Sequence, residues 1–307
     1  MKQQNRFFTD QEGTSVFLHQ WLPDGEPKAI LQLVHGMAEH AGRYERLARF
    51  LNDRGIAVFA DDHTGHGLSV ADGKSWGVLA EKNGFGKMVE NEKAITKEIR
   101  RLYPHAPVFL FGHSMGSFIA RHFIARYGKT VDGLILSGTG DPSCLGLLGG
   151  FIFATFQSLL FGQKDPAKFL DKLVFGGYNR TFAPNRTAFD WLSREEKEVD
   201  KYIQDPMCGH VFPAGFYVQF FRALLFLKRK KSVFRIPRNL PVFLFSGEKD
   251  PVGNDGKGVM TLYETYRRHG IENLRLQLFP DGRHEMLNEI NREEVMEVLY
   301  HWIQGNV

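Results

Sequence analysis

The chain has 307 residues, 43% of them hydrophobic, and a formal net charge of +4 at pH 7. That is enough apolar material for a large core with room for an insertion. The charge is too mild and scattered to point to nucleic acid, and no basic motif interleaved with aromatics occurs.

In chain order, Met1-Lys2-Gln3-Gln4-Asn5-Arg6 has no apolar h-region or small-residue cleavage site, so no export signal is expected. Val16-Phe17-Leu18 forms an early strand. Residues 29–34 form another, followed by a helix over 43–54 that stops at Gly55, and residues 56–60 make the next strand. A charged amphipathic helix runs over 87–102 and ends before Pro104. Val108-Phe109-Leu110-Phe111 leads directly into Gly112-His113-Ser114-Met115-Gly116, and residues 117–127 form a helix stopped by Gly128. Residues 132–137 continue the sheet, and residues 241–245 and 274–279 add two strands before a final helix. Strands separated by helical patterns imply an α/β fold: a mainly parallel sheet with helices on both faces and functional groups at the carboxyl ends of the strands. Between Gly138 and Arg238 the strand rhythm gives way to helical stretches, which predicts a core of residues 1–138 and 237–307 with a mostly helical cap over 139–236.

Gly-x-Ser-x-Gly between a strand and a helix is a nucleophile elbow. The tight turn strains the central residue and brings two segments close, so glycines flank Ser114. A serine hydroxyl needs a base, and the base needs a carboxylate to hold its tautomer. Residues 241–245 run into Ser246-Gly247-Glu248-Lys249-Asp250-Pro251, and residues 274–279 run into Pro280-Asp281-Gly282-Arg283-His284-Glu285. Asp250, fixed by the following proline, is the expected acid, with Glu248 and Asp255 as competitors. His284 is the expected base, since of the 12 histidines it alone follows the last strand and precedes the final helix. The backbone N–H groups of Met115, after the nucleophile, and of Met37, after the turn at Gly36, are the expected oxyanion donors. The two methionine side chains are ordinary packing. No cofactor or metal is expected.

Four separated motifs carry a resemblance. They are His35-Gly36-Met37-Ala38-Glu39-His40 running on to Gly42-Arg43-Tyr44, then Asp62-His63-Thr64-Gly65-His66-Gly67-Leu68-Ser69, then the elbow, then the Asp250 and His284 loops in that order. With them the chain resembles the monoacylglycerol lipase and lysophospholipase branch of the α/β-hydrolase superfamily, also described as serine aminopeptidase-like. Ala38 departs from that branch, which usually has a second glycine there. The stretch from Phe189 to Gly209 is similar to one in bacterial members. The resemblance implies an α/β-hydrolase fold and a serine esterase acting on monoacylglycerol or lysophospholipid.

The cap adds two features. Residues 142–163 carry no charge and are rich in leucine and phenylalanine, and residues 139–236 hold 14 of the chain's 27 phenylalanines. Four glycines and several polar residues weaken a membrane span; a packed cap helix and a helix lining an acyl pocket or touching a lipid interface are the remaining readings. On the second, Phe153 and Phe156 are candidate substrate-binding residues. Residues 216–227 are aromatic and aliphatic and precede Lys228-Arg229-Lys230-Lys231, which either complements a helix dipole or docks on anionic lipid. Ser193 with Glu196 forms a capping-box pattern.

A lipid ester is therefore the expected small-molecule partner, with contact to a lipid surface through the cap as a further expectation. Two cysteines, Cys144 and Cys208, do not make a disulfide framework. Two reduced, buried thiols suit a cytoplasmic location, with a single bridge between them left open. A peptidase or amidase of the same fold is the alternative; it should need carboxylates in the cap to grip an α-ammonium. A non-catalytic binding protein is a third reading, against which all three triad residues are present.

Overall fold

Continuous apolar runs, unlike alternating ones, belong to strands covered on both faces, and the runs of this chain behave so. The computed structural model describes residues 2–233 and 235–307, with the side chains of Lys230 and Lys231 also outside the description. Its strands are β1 (Lys2–Gln3), β2 (Arg6–Thr9), β3 (Ser15–Leu22), β4 (Ala29–Val34), β5 (Ile56–Asp62), β6 (Val108–His113), β7 (Gly133–Ser137), β8 (Val242–Gly247) and β9 (Leu274–Phe279). They form one sheet in the order β1-β3-β5-β4-β6-β7-β8-β9, with β2 also paired to β3. From β5 to β9 every pairing is parallel, and β3 joins antiparallel. Strands β4 to β8 are buried along their whole length. β9 alternates and is half-exposed because it has a neighbour on one side only.

The helices before residue 139 are α1 (Glu45–Asn52), α2 (Gly84–Leu102) and α3 (Met115–Tyr127), and after residue 236 come α9 (Lys257–Arg268) and α10 (Arg292–Gln304); residues 139–236 hold α4 (Cys144–Phe161), α5 (Lys168–Phe175), α6 (Glu196–Gln204), α7 (Ala214–Leu227) and α8 (Lys230–Val233). Alternate strand residues feed two cores. Leu31, Leu33, Phe109, Phe111, Phe243 and Phe245 pack with Leu47 and Leu51 of α1 and Leu299 and Trp302 of α10. Ile30, Val34, Leu110, Leu134 and Leu136 pack on the other face with α2, α3 and α9. Each such side chain contributes about 1.5–3 kcal/mol on burial, so the sheet is a rigid base for the loops at its carboxyl edge.

Several elements differ from expectation in extent. The expected helix over 43–54 is a 3-10 turn, Ala41–Tyr44, followed by α1. The helix after the serine starts at Met115, not residue 117, and α2 begins at Gly84. The Ser193/Glu196 capping box does not form: Ser193 Oγ accepts from Glu195 N and donates to Asn288 O, both at 2.9 Å, and Glu195 is the N-cap of α6.

Among the described residues, 139–236 add no strand to the sheet. α7 ties this segment to the main core through Phe216, Tyr217, Phe220 and Leu224. α4, capped by Ser143 Oγ accepting from Gly146 N at 3.1 Å, buries only Leu147 and Ala154. Gly150 lies against the ring of Phe221, where a Cβ would collide. The other side of α4 is an exposed apolar face: Leu145, Leu148, Ile152, Phe156 and Leu159, which recur at helical spacing. By length and composition α4 is long and apolar enough to cross a membrane. Both cysteines are free thiols; Cys208 is buried, but Cys144, in the first turn of α4, is exposed rather than buried.

Candidate active site

Ser114 sits between β6 and α3 with φ 51° and ψ −120°, a conformation a side chain adopts only when the surroundings impose it. They do: Ser114 N donates to Ser137 O at 2.9 Å, and Ser114 O accepts from Ser117 N and Ser117 Oγ at 2.9 and 2.6 Å. A Cβ at Gly116 would strike the carbonyl oxygens of Val34 and His35, and one at Gly112 would meet Gly116 O. Only glycine fits at either place.

The turns after β8 and β9 bring Asp250 and His284 together. His284 Nδ1 lies 2.9 and 3.0 Å from the two oxygens of Asp250, which also accept from Ser246 Oγ at 3.0 Å and Val252 N at 2.9 Å. With its Nδ1 proton committed to the carboxylate, the ring keeps Nε2 for other work. Both residues are buried, whereas Glu248 and Asp255, the competing acids, are exposed. Burial opposes charging of His284, but the attraction and hydrogen bond of Asp250 outweigh it and raise the pKa. Burial likewise opposes the Asp250 carboxylate, and His284 with the surrounding donors brings its pKa below the usual value. The ring of His284 is flanked by His113 at 4.7 Å and by Trp191 of the cap at 5.0 Å. Burial, followed by the charge of His284, pushes the pKa of His113 down to about 4, so it stays neutral.

The turn after β4 is held by charges. Gly36 N donates to Glu39 Oε1 at 2.6 Å, and Tyr44 OH donates to the same oxygen at 2.9 Å. Arg43 bonds Glu39 Oε2 at 2.7 Å and both oxygens of Glu285 at 2.7 Å, and its guanidinium lies over the ring of Tyr202. Bidentate pairs of this kind fix geometry as well as charge. Burial disfavours the Glu285 carboxylate, but Arg43 brings its pKa down to about 2. Glu39, Arg43 and Tyr44 stand inside the motif that begins at His35, and Glu285 follows His284, yet the sequence alone gives them no role. The signal available was a glutamate and an arginine in one turn, without any sign of their distant partner.

Ser114, His284, Met37 and Met115 all line one cavity of about 400 Å³. Its walls include Phe118, Phe175, Phe220, Phe221 and Leu224, and α4 contributes Leu147. Phe153 and Phe156 are not among its lining residues. Phe156 is exposed on the outer face of α4, and Phe153 packs against Phe169 of α5 at 5.3 Å. Helix phase explains Phe156: Leu147, Gly150 and Ala154 occupy the inward side, which leaves it on the opposite one, whereas Phe153 is half-buried and packs at the margin of the core. Among the described residues, two groups bring possible metal-ligand atoms within 4.8 Å of one another: Asp61, His63 and Glu92, and His40, Asp205 and Cys208. His40 Nε2 is bonded to Asp205 Oδ2 at 3.0 Å, and burial pushes the Cys208 thiol up, so it keeps its proton. A strained serine and a buried His–Asp pair beside one apolar cavity form an arrangement able to carry acyl transfer.

A family model described as Serine aminopeptidase, S33 matches residues 25–291. The chain is 31% identical to the monoglyceride lipase of Homo sapiens over 294 residues, 95% of this chain and 86% of that protein. It is 28% identical to the monoacylglycerol lipase of Mycolicibacterium smegmatis over 98% of this chain and 96% of that one. Among solved structures, the thermostable carboxyl esterase from Bacillus coagulans in complex with glycerol is similar over the whole of both chains, with a TM-score of 0.90 and 30% identity.

Proposed function

The chain belongs to the Serine aminopeptidase, S33 family of α/β-hydrolases, and from that premise we propose that it hydrolyses lipid carboxylic esters, with monoacylglycerol or lysophospholipid as substrate. The observation that carries this reading is the single cavity in which Ser114 and His284 meet apolar walls supplied by the cap; the monoglyceride lipase relatives support it. Ser114 Oγ attacks the ester carbonyl while His284 Nε2 takes its proton, and Asp250 stabilises the imidazolium. The N–H groups of Met37 and Met115 receive the developing oxyanion. His284 then protonates the leaving alcohol, and water activated by the same histidine releases the fatty acid. Residues 139–236 serve as the lid over a core of residues 1–138 and 237–307.

The finer reading puts the protein in the cytoplasm, in contact with a lipid surface. The exposed face of α4, extended by Phe169 and Leu173 of α5, offers a broad apolar patch, larger than scattered surface leucines account for. The basic run beside α7 gives less support, because Lys228 is paired with Asp141 at 2.7 Å.

One observation favours a peptidase. Asp171 of α5 lines the cavity from the cap, bonded there by Tyr217 OH at 2.8 Å. Burial raises its pKa. A panel of p-nitrophenyl esters from acetate to palmitate, 1-monooleoylglycerol, lysophosphatidylcholine and an aminoacyl nitroanilide separates these readings. Fastest turnover is expected on monooleoylglycerol and medium to long esters. A nitroanilide cleaved faster than any ester would overturn the lipid reading.

A further inference from the structure

Behind the turn that carries Met37 lies a buried polar chain that the reaction itself does not use. Gln32 on β4, Asp61 on β5, His63 just beyond it, and Glu92 and Thr96 on α2 are at most 2% exposed. Gln32 Nε2 donates to Glu92 Oε2 at 2.7 Å, and Thr96 Oγ1 donates to Gln32 Oε1 at 2.6 Å. His63 Nδ1 is 3.1 Å from Asp61 Oδ2 and 3.6 Å from Glu92 Oε1. Its Nε2 is 3.2 Å from His35 O, and its ring stacks on that of His35 with centroids 3.9 Å apart.

The partners dictate the protons. The backbone N–H of His63 points at His35 Nε2 at 3.1 Å. A backbone N–H can only donate, so His35 Nε2 accepts and the ring proton of His35 sits on Nδ1. That proton is given to Gly36 O, 2.8 Å away. For His63 both nitrogens face acceptors, a carbonyl and a carboxylate, so both donate and the ring is an imidazolium. Asp61 balances its charge.

Titration agrees with the geometry. Burial opposes the imidazolium of His63, but Asp61 raises its pKa. Asp61 itself is lowered, against burial, by His63. Burial and the charge of Asp61 push Glu92 well above the usual carboxylate range. Burial and His63 hold His35 well below its ordinary value and His66, whose ring lies 5.9 Å from that of His63, at about 3. Asp62, next in the chain, is taken up by Ala41 N and Leu68 N at 2.8 and 2.7 Å.

We propose that His35 and His63 are positioning residues for the oxyanion turn, acting through the Gly36–Met37 peptide. The carbonyl oxygen of Gly36 and the N–H of Met37 belong to one rigid peptide plane. The bond from His35 Nδ1 therefore sets the direction in which Met37 N–H points, and polarises that plane so that the N–H becomes a better donor. The backbone N–H of His63 fixes the tautomer of His35, and the His63 ring, charged by Asp61, stacks on His35 and holds its carbonyl, which sets the tilt from behind. Preorganised donors of this kind act mainly in the transition state. This inference rests on the reading of Ser114 as nucleophile and Met37 N–H as oxyanion donor.

Three variants and one pair of substrates test it. His35→Asn keeps an N–H near the Nδ1 position, His35→Gln moves it to the Nε2 position, and Asp61→Asn removes the charge that makes His63 donate from both nitrogens. Each is assayed on p-nitrophenyl butyrate and its thionoester, whose sulfur is a poor hydrogen-bond acceptor, after titrating competent serine with a fluorophosphonate so that unfolded protein does not enter. His35→Gln is expected to lower kcat on the oxygen ester by on the order of 10²-fold, and Asp61→Asn and His35→Asn by roughly tenfold, with KM within about threefold. The oxygen-to-sulfur rate ratio should shrink in the same order, since the thionoester gains little from the turn even in the wild type. A ratio equal to wild type in all three variants overturns the proposal, as does a His35→Asn no better than His35→Gln. If instead the wild type cleaves neither ester, or Ser114→Ala remains active, the hydrolase reading itself fails, and the positioning inference that rests on it falls with it.

Discussion

Tyr202, on the cap helix α6, donates its hydroxyl proton to the carbonyl oxygen of Ala38 at 3.0 Å, and Ala38 is a non-glycine residue with φ 56° in the turn beside the nucleophile. Alanine in that region costs about 1–2 kcal/mol. The bond from Tyr202, with a second from Gly209 N at 2.9 Å, offsets the cost and explains how the chain keeps alanine there. Both donors come from residues 139–236, so that segment holds the turn as well as lining the cavity.

Tyr202→Phe keeps the ring under Arg43, 4.9 Å from its guanidinium, and removes only the hydroxyl. A hydrogen bond of this sort contributes about 1 kcal/mol net. We expect kcat to fall roughly three- to tenfold with KM nearly unchanged, and Tm to drop by a few degrees. Steady-state kinetics and calorimetry check both, and an unaltered kcat would mean that the turn keeps its shape without the cap.

Ser114→Ala, His284→Ala and Asp250→Asn should each lower kcat by at least about 10³-fold with the fold intact, and the Ser114→Ala, His284→Ala double variant should be nearly as active as either single one. The pH profile carries a signed test. His284 acts as a base only when neutral, so kcat/KM should rise with pH, with a midpoint above the ordinary 6.5 because its pKa is raised. Asp250→Asn removes the main cause of that rise and leaves burial, which acts the other way. The residual activity of this variant should therefore titrate at a lower pH than wild type. A midpoint that moves upward would mean that another acid holds His284.

The difference between the expected residues that the fold brings together and those it does not has a physical basis. Ser114, Asp250 and His284 each follow a strand of unmistakable apolar character, so strand ends alone put them at one edge of the sheet. Arg43 and Glu285 are 242 positions apart, and nothing local to either says that they meet. Phe153 and Phe156 were expected at the substrate because residues 142–163 are uncharged. Uniform apolarity states that the helix has apolar sides without stating which side turns inward; the inward side is that of Gly150, against which Phe221 packs, and of the buried Leu147 and Ala154. His35 and His63 stood in quoted motifs, but a tautomer is a property of partners.

Acid should expose the Arg43–Glu285 pair. The folded pKa of Glu285 is depressed from 4.5 to about 2, so its contribution is present above the unfolded pKa and is lost as the pH falls through the folded one. The contribution amounts to roughly 3 kcal/mol at neutral pH. Glu285→Gln should thus be destabilised relative to wild type at pH 7, with the gap closing between about pH 4.5 and pH 2. Urea unfolding at several pH values measures it, and a gap independent of pH would assign the loss to packing.

The two faces of the cap should separate cleanly. If the cavity wall holds the acyl chain, each buried methylene adds about 0.8 kcal/mol, and kcat/KM should climb from acetyl toward medium or long esters until the cavity of about 400 Å³ is full. Leu147→Asp and Phe221→Asp place a charge on that wall and should cost long esters far more than acetate. Phe156→Asp alters the outer face of α4, where the side chain is 60% exposed. It should keep the chain-length preference on dispersed p-nitrophenyl esters and lose activity only on monooleoylglycerol presented in vesicles. Equal losses on short and long esters for Leu147→Asp and Phe221→Asp would make the wall ordinary packing. Undiminished vesicle activity in Phe156→Asp would leave the apolar face of α4 without a lipid surface to meet.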